Sequence, residues 1–299
     1  MSIGELARST GVAVRTIRFY CDEGILDSHR SVGGHRLFEA ESATARLLLV
    51  RRLRALGLGL ESIAAVLRGE RSMAEVLDAE SARLDDEFRT LAWRRASVRA
   101  LGSASSRQRA DRLALLAAAQ DGGAMHDGLI RFWRRVLAPI PRDDIDRWVG
   151  WNVPEPPATP SAADVVAYAE LAALAAAPGT GTLVRHQYWR TCPELIRDPR
   201  TLYAEVGDAA VAVVPLVADG VQPYAGPELD RFVDAHAIAR RTRDSPHFRA
   251  QLLAGATDAD PRIYRYWALT RHFLGTRVTV GQAHDWLFNA LAGAVAAGE

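Results

Sequence analysis

Ile3-Gly4-Glu5-Leu6-Ala7, Gly11-Val12, Val14-Arg15-Thr16-Ile17-Arg18-Phe19-Tyr20, Glu23-Gly24-Ile25-Leu26 and Gly34-His35-Arg36-Leu37-Phe38 follow one another in the first forty residues. Their spacing predicts a helix-turn-helix followed by a hairpin wing. Ser2 and Glu5 have the spacing of a capping box at the start of the first helix. Ile3, Leu6 and Ala7 then share one face, and Gly11 supplies the turn. A second helix begins near Val14, with Ile17 buried and Arg15, Thr16, Arg18 and Tyr20 spread over its other faces, as in a helix that enters a major groove. Gly33-Gly34 permits a tight turn before Arg36-Leu37-Phe38.

At these residues the chain resembles the MerR family of winged helix-turn-helix regulators. The resemblance continues through Arg46-Leu47 to Leu53-Arg54-Ala55-Leu56-Gly57-Leu58, then Leu60-Glu61-Ser62-Ile63 and Leu67, which look like the family's second helix pair, with Gly57 at a helix stop and Gly59 as an N-cap. It covers residues 2 to 110. Three departures stand out: Phe19-Tyr20 where the family has Tyr-Tyr, His35-Arg36 where it has Tyr-Arg, and Ala13 where it caps the second helix with Ser or Thr. The missing cap costs about 1 kcal/mol. The resemblance implies that Val14, Arg15, Thr16, Arg18, Phe19 and Tyr20, with His35 and Arg36 in the wing, contact double-stranded DNA. It further implies a homodimer on a pseudopalindromic operator inside an overlong promoter spacer, where bending and undertwisting realign the promoter for RNA polymerase.

The cations are distributed as such a role requires. The whole chain carries a net charge of only +1, yet residues 1–72 hold eleven Arg against eight Asp and Glu. Every fixed cation is Arg, which suits bidentate phosphate and guanine contacts but is also what a genome rich in guanine and cytosine produces. Cys21 and Cys192 are the two cysteines and neither has a neighbouring thiol, so no disulfide framework, CxxC site or iron-sulfur run is offered. This separates the chain from the family's metal-sensing and redox-sensing branches. No uninterrupted apolar stretch reaches the length of a membrane span and no leader is visible, so a cytoplasmic location without membrane association is expected.

Leu77, Leu84, Leu91 and Val98 recur every seven residues, with Phe88 beside them and Glu80, Asp85, Arg94 and Arg99 outside, a coiled-coil-like seam. In the family the dimer helix belongs here. Gly102-Ser103-Ala104-Ser105-Ser106 interrupts the pattern. The expected organisation is therefore a winged helix-turn-helix domain over 1–72, a dimerisation helix and linker over 73–109, and an effector domain over 110–299.

Residues 110–299 read as helices throughout: 110–120, 124–138, 142–151, 161–177, 181–191, 199–217, 226–244, 246–255, 260–274 and 279–297. Pro139-Ile140-Pro141, Pro178-Gly179 and Gly220 to Pro227 punctuate them, and Ser161 and Thr279 have N-cap positions. Val211 to Val217 has strand character but, isolated, reads as a buried helix. The fold class is all-α with a small β-hairpin wing.

Seventeen of the chain's twenty-two Phe, Tyr and Trp lie after residue 124. Phe132-Trp133, Trp148 with Trp151, Tyr188-Trp189 and Tyr266-Trp267 are the clusters that suggest a flat-walled pocket for a small aromatic, cationic or antibiotic-like ligand, although rings of this kind also build ordinary cores. His126, His186, His236, His247, His272 and His284 show no metal-ligand spacing, so no metal site is expected. Asp234-Ala235-His236-Ala237-Ile238-Ala239 ends in Ala where the family's cobalamin motif ends in Gly, and no cofactor is expected. No nucleophile with its base and no Gly-rich phosphate loop appears, which argues against an enzyme. The competing readings are a ligand-independent transcription factor whose helical domain binds a protein partner, and a drug-sequestering binding protein.

Overall fold

A computed structural model describes residues 1–298 except 32, 139, 188–190, 257–259 and 276. The chain divides into two compact units, Met1–Phe88 and Arg89–Glu299.

In the first unit, α1 (Ile3–Thr10) starts on the capping box: the Glu5 amide donates to Ser2 Oγ at 3.3 Å and the Ser2 amide to Glu5 Oε2 at 2.7 Å. Gly11, at φ 68°, ends it and turns the chain into α2 (Val14–Asp22), whose N-cap Ala13 supplies no side-chain hydrogen bond. The wing consists of β1 (His29–Arg30) and β2 (Arg36–Leu37), antiparallel with His29 opposite Leu37 and Arg30 opposite Arg36. Gly34 at φ 79° allows its turn. Then come α3 (Ala40–Ala55), capped by the Glu39 carboxylate, and α4 (Leu60–Leu67), which begins at Gly59. Leu6, Ile17, Leu26, Phe38 and Leu47 form one core cluster, and Ile25, Val50, Leu58, Ile63 and Val76 form a second. Val76 belongs to α5 (Met73–Gly102), the long helix in which the two units meet in sequence.

The second unit holds the end of α5 and then α6 (Ser106–Ala118), α7 (Gly122–Leu137), α8 (Arg142–Asn152), α9 (Ala162–Ala176), α10 (Thr180–Arg185), α11 (Pro199–Ala218), α12 (Pro227–Ala239), α13 (Pro246–Ala254), α14 (Pro261–Leu274) and α15 (Val280–Gly298). Ser161 and Asp164 form a capping box on α9, and Thr279 and Gln282 do the same for α15. Around one hydrophobic core, α9 packs on α6, α7 and α14, while α11 packs on α12 and α15. On α5, Trp93 anchors into this core: its indole N–H donates to the Ala119 carbonyl at 3.0 Å and its ring meets Tyr168 edge-on.

Two helices are shorter than their sequence pattern predicts. The stretch 226–244 stops at Ala239 because Arg241 takes a left-handed φ of 55°, and 181–191 stops at Arg185. The Val211–Val217 segment is helical, as expected, but half-exposed rather than buried: Val213 is inside and Val211 outside. By length and hydropathy α11 could cross a membrane, contrary to the expectation that no stretch would qualify. It carries Arg200, Glu205 and Asp208, however, and buries Leu202, Val206, Ala209 and Val213, which is how a core helix is built.

Candidate functional site

On α2, Ile17 is fully buried and thereby turns Arg15, Arg18 and Phe19 to solvent, with Val14, Thr16 and Tyr20 half-buried. Tyr20 packs against both core clusters of its unit, so its ring is partly structural. Among the described residues neither Arg15 nor Arg18 has an ion pair. Several other arginines are structural: Arg46 pairs with Asp27 and reaches the Leu67 carbonyl, Arg51 donates to the Thr10 carbonyl and Arg54 to that of Leu58. Sequence counting treats all of these alike.

In the wing His35 is exposed, whereas Arg36 turns back onto α2. Its Nη2 donates to Asp22 Oδ1 at 2.6 Å and its Nη1 to the Arg18 carbonyl at 3.3 Å. The Asp22 carboxylate, by accepting this hydrogen bond, raises the pKa of the Arg36 guanidinium.

The second unit contains a cavity of about 560 Å³ that opens to solvent. Trp133 of α7, Trp148 and Trp151 of α8 and Trp267 of α14 line it. Trp133 and Trp148 have ring centroids 4.2 Å apart, and Trp267 stands 5.7 Å from Trp133 and 6.5 Å from Trp148. Phe132 and Tyr266 lie behind this wall in the core, where the Tyr266 hydroxyl accepts the Trp133 indole N–H at 2.6 Å. Tyr188 and Trp189 fall outside the described residues. Sequence reading missed the opposite side, which α11 supplies through Arg200, Tyr203, Ala204, Gly207 and Asp208, and the His284 contribution from α15. Small residues on an apolar helix carry no sequence signal for a cavity. Burial pushes the His284 imidazole down to about 4 and the Tyr203 hydroxyl up to about 12, so both are neutral at pH 7.

Residues 1–70 match the family model described as MerR HTH family regulatory protein. Over 84 residues the chain is 40% identical to nodulation protein NolA of Bradyrhizobium elkanii, a stretch covering 28% of this chain and 38% of that protein. NolA of Bradyrhizobium diazoefficiens is 39% identical over 84 residues, 28% of this chain and 35% of that protein. The chain thus spans little more than a third of the length of these curated relatives. No solved structure matches it. On the capping box, the exposed arginines of α2, the hairpin and these matches, residues 1–70 are a MerR-family helix-turn-helix domain.

Proposed function

We propose that the chain is a DNA-binding transcriptional regulator that works as a homodimer and responds to a small aromatic molecule held in its second unit. The DNA-binding part of this reading rests on the exposed Arg15 and Arg18 of α2, presented by a helix whose inner face is locked by Ile17. Val14, Thr16, Phe19, Tyr20, His35 and Arg36 complete the contact set, with operator, promoter spacer and RNA polymerase as the setting. Dimerisation draws on Leu77, Leu84, Phe88, Leu91 and Val98, which are between 41% and 64% exposed along α5. A row of large apolar side chains left in water at heptad spacing favours a partner helix, and a second copy of this chain supplies one. The effector part, residues 110–299, rests on the tryptophan-lined cavity.

Footprinting with the full chain tests the reading, with protection of a two-fold symmetric DNA site as the expected result. Arg18→Ala should weaken that binding by about 1 to 3 kcal/mol at fixed salt with no change in fold. Unchanged affinity would remove α2 from the interface.

A further inference from the structure

The two arginines of the wing are not equally committed. Both terminal nitrogens of Arg36 donate inside the protein, to Asp22 and to the Arg18 carbonyl, whereas Arg30 on the neighbouring strand is exposed and has neither an ion pair nor a side-chain hydrogen bond among the described residues. The two face each other across the hairpin. Because the Ser31 amide donates to the His35 carbonyl at 2.9 Å, the adjoining pair of Arg30 and Arg36 is a non-hydrogen-bonded one, in which opposite side chains stand closest and leave the same face. Arg30 is thus carried on the face from which Arg36 reaches α2.

Like charges directly opposite each other on two paired strands destabilise the pair unless each meets an anion. Asp22 supplies one for Arg36, and the hairpin supplies no second: residues 28–38 contain Arg30, Arg36, His29 and His35 but no carboxylate, and α2 has none from Val14 to Cys21. The acids that flank the hairpin in sequence are engaged, Asp27 by Arg46 and Glu39 by the first amides of α3. Arg30 keeps an uncompensated charge.

Its strand is also the outer one. On its far side β2 is covered by the start of the chain, where Ser2 bridges Leu37 and the Phe38 amide donates to the Met1 carbonyl at 2.9 Å, so β2 is half-buried while β1 exposes both His29 and Arg30. A forked, permanently charged guanidinium on an acid-free surface that Arg36 joins to α2 fits a phosphodiester.

We propose that Arg30 is a phosphate contact of the DNA-binding surface, gripping the backbone while Arg36, held by Asp22, fixes the hairpin against α2. Resting on the DNA-binding reading, this adds a residue outside the contact set drawn from the family resemblance and gives it a sequence-independent task, since phosphate contacts set register and orientation while base contacts specify.

Fluorescence-anisotropy titration of the full chain over a range of salt concentrations, on the duplex protected in footprinting and on a random-sequence duplex, tests this. Arg30→Ala should lose affinity several-fold on both duplexes alike, and the slope of log affinity against log salt should fall by about one per protomer. Arg30→Lys should keep the wild-type slope, because a point charge still displaces the counterion. The melting temperature of Arg30→Ala should match or slightly exceed wild type, since a repulsion is removed and no internal bond is lost. Wild-type affinity and slope in Arg30→Ala would overturn the proposal while leaving the DNA-binding reading in place. So would a loss confined to the footprinted duplex, which would make Arg30 a reader of bases, or a melting temperature clearly below wild type, which would make it structural. Failure of the wild-type chain to bind either duplex would overturn the proposal together with the DNA-binding reading beneath it.

Discussion

Arg36 in the wing and Asp22 at the end of α2 are joined by an ion pair at 2.6 Å, and the same guanidinium reaches the Arg18 carbonyl. One side chain therefore ties the hairpin to the helix that presents Arg15 and Arg18. The pair is largely solvent-exposed, so it sets orientation more than stability. Asp22→Asn is expected to leave the melting temperature nearly unchanged while lowering DNA affinity several-fold, because a loosened wing no longer holds its contacts in register with α2. Equal affinities for Asp22→Asn and wild type in a gel-shift titration would refute the orienting role.

The α5 seam predicts its own disruption. Leu84 is exposed in the midst of Leu77, Phe88 and Leu91, so an aspartate there costs little in the single chain but places a charge in a helix–helix interface. Leu84→Asp should give monomers by light scattering and weaken binding to a two-fold symmetric site. A surviving dimer would locate self-association elsewhere.

Gly281 sits so close to Trp267 that any Cβ built on it would overlap the indole. Alanine favours a helix over glycine by up to about 1 kcal/mol, so local propensity alone predicts a gain. Packing reverses the sign: Gly281→Ala must push the ring into the cavity or move α15, costing about 1 to 3 kcal/mol. Thermal unfolding and tryptophan emission should both shift downward from wild type, and a stabilised variant with unchanged emission would contradict this packing.

Burial holds the His284 imidazole near 4, below its ordinary 6.5, and burial also lowers His236, with Arg240 and His284 adding repulsion. Between those values the unfolded chain binds protons that the folded chain does not, so stability is retained above about pH 6.5 and lost as the pH falls toward 4. The melting temperature should decline over that interval, and His284→Gln should flatten the decline. A pH-independent melting curve for wild type from 7 to 4.5 would refute the buried neutral state.

The features legible in the sequence are local ones. The capping box at Ser2, the N-cap at Ser161, the turn at Gly11, the hairpin glycines and the heptad spacing of Leu77 to Val98 each involve residues within about two turns of one another, and local rules place them. The aromatic surplus is legible as a count. Which rings form a wall is not: Trp133, Trp148, Trp267, Tyr203 and His284 come from five different helices, and only their packing brings them around one space. It likewise puts Phe132 in the core one residue from the cavity-lining Trp133, since a helix turns about 100° per residue and adjacent side chains face different neighbours.

The order of residues is enough to specify a MerR-type helix-turn-helix with a wing, a long helix with an apolar seam and a helical remainder, because periodicity, caps and glycines act over short distances. Long-range packing is needed to establish that Arg36 holds α2 rather than standing free, that the small residues of α11 line a cavity, and that arginines and aspartates of two helices stand around it. These outcomes depend on partners such as Asp22, Asp144, Tyr266 and Val280, most of them far away in the chain, and the free energy of a polar group is set by the partner it meets rather than by its neighbours in sequence.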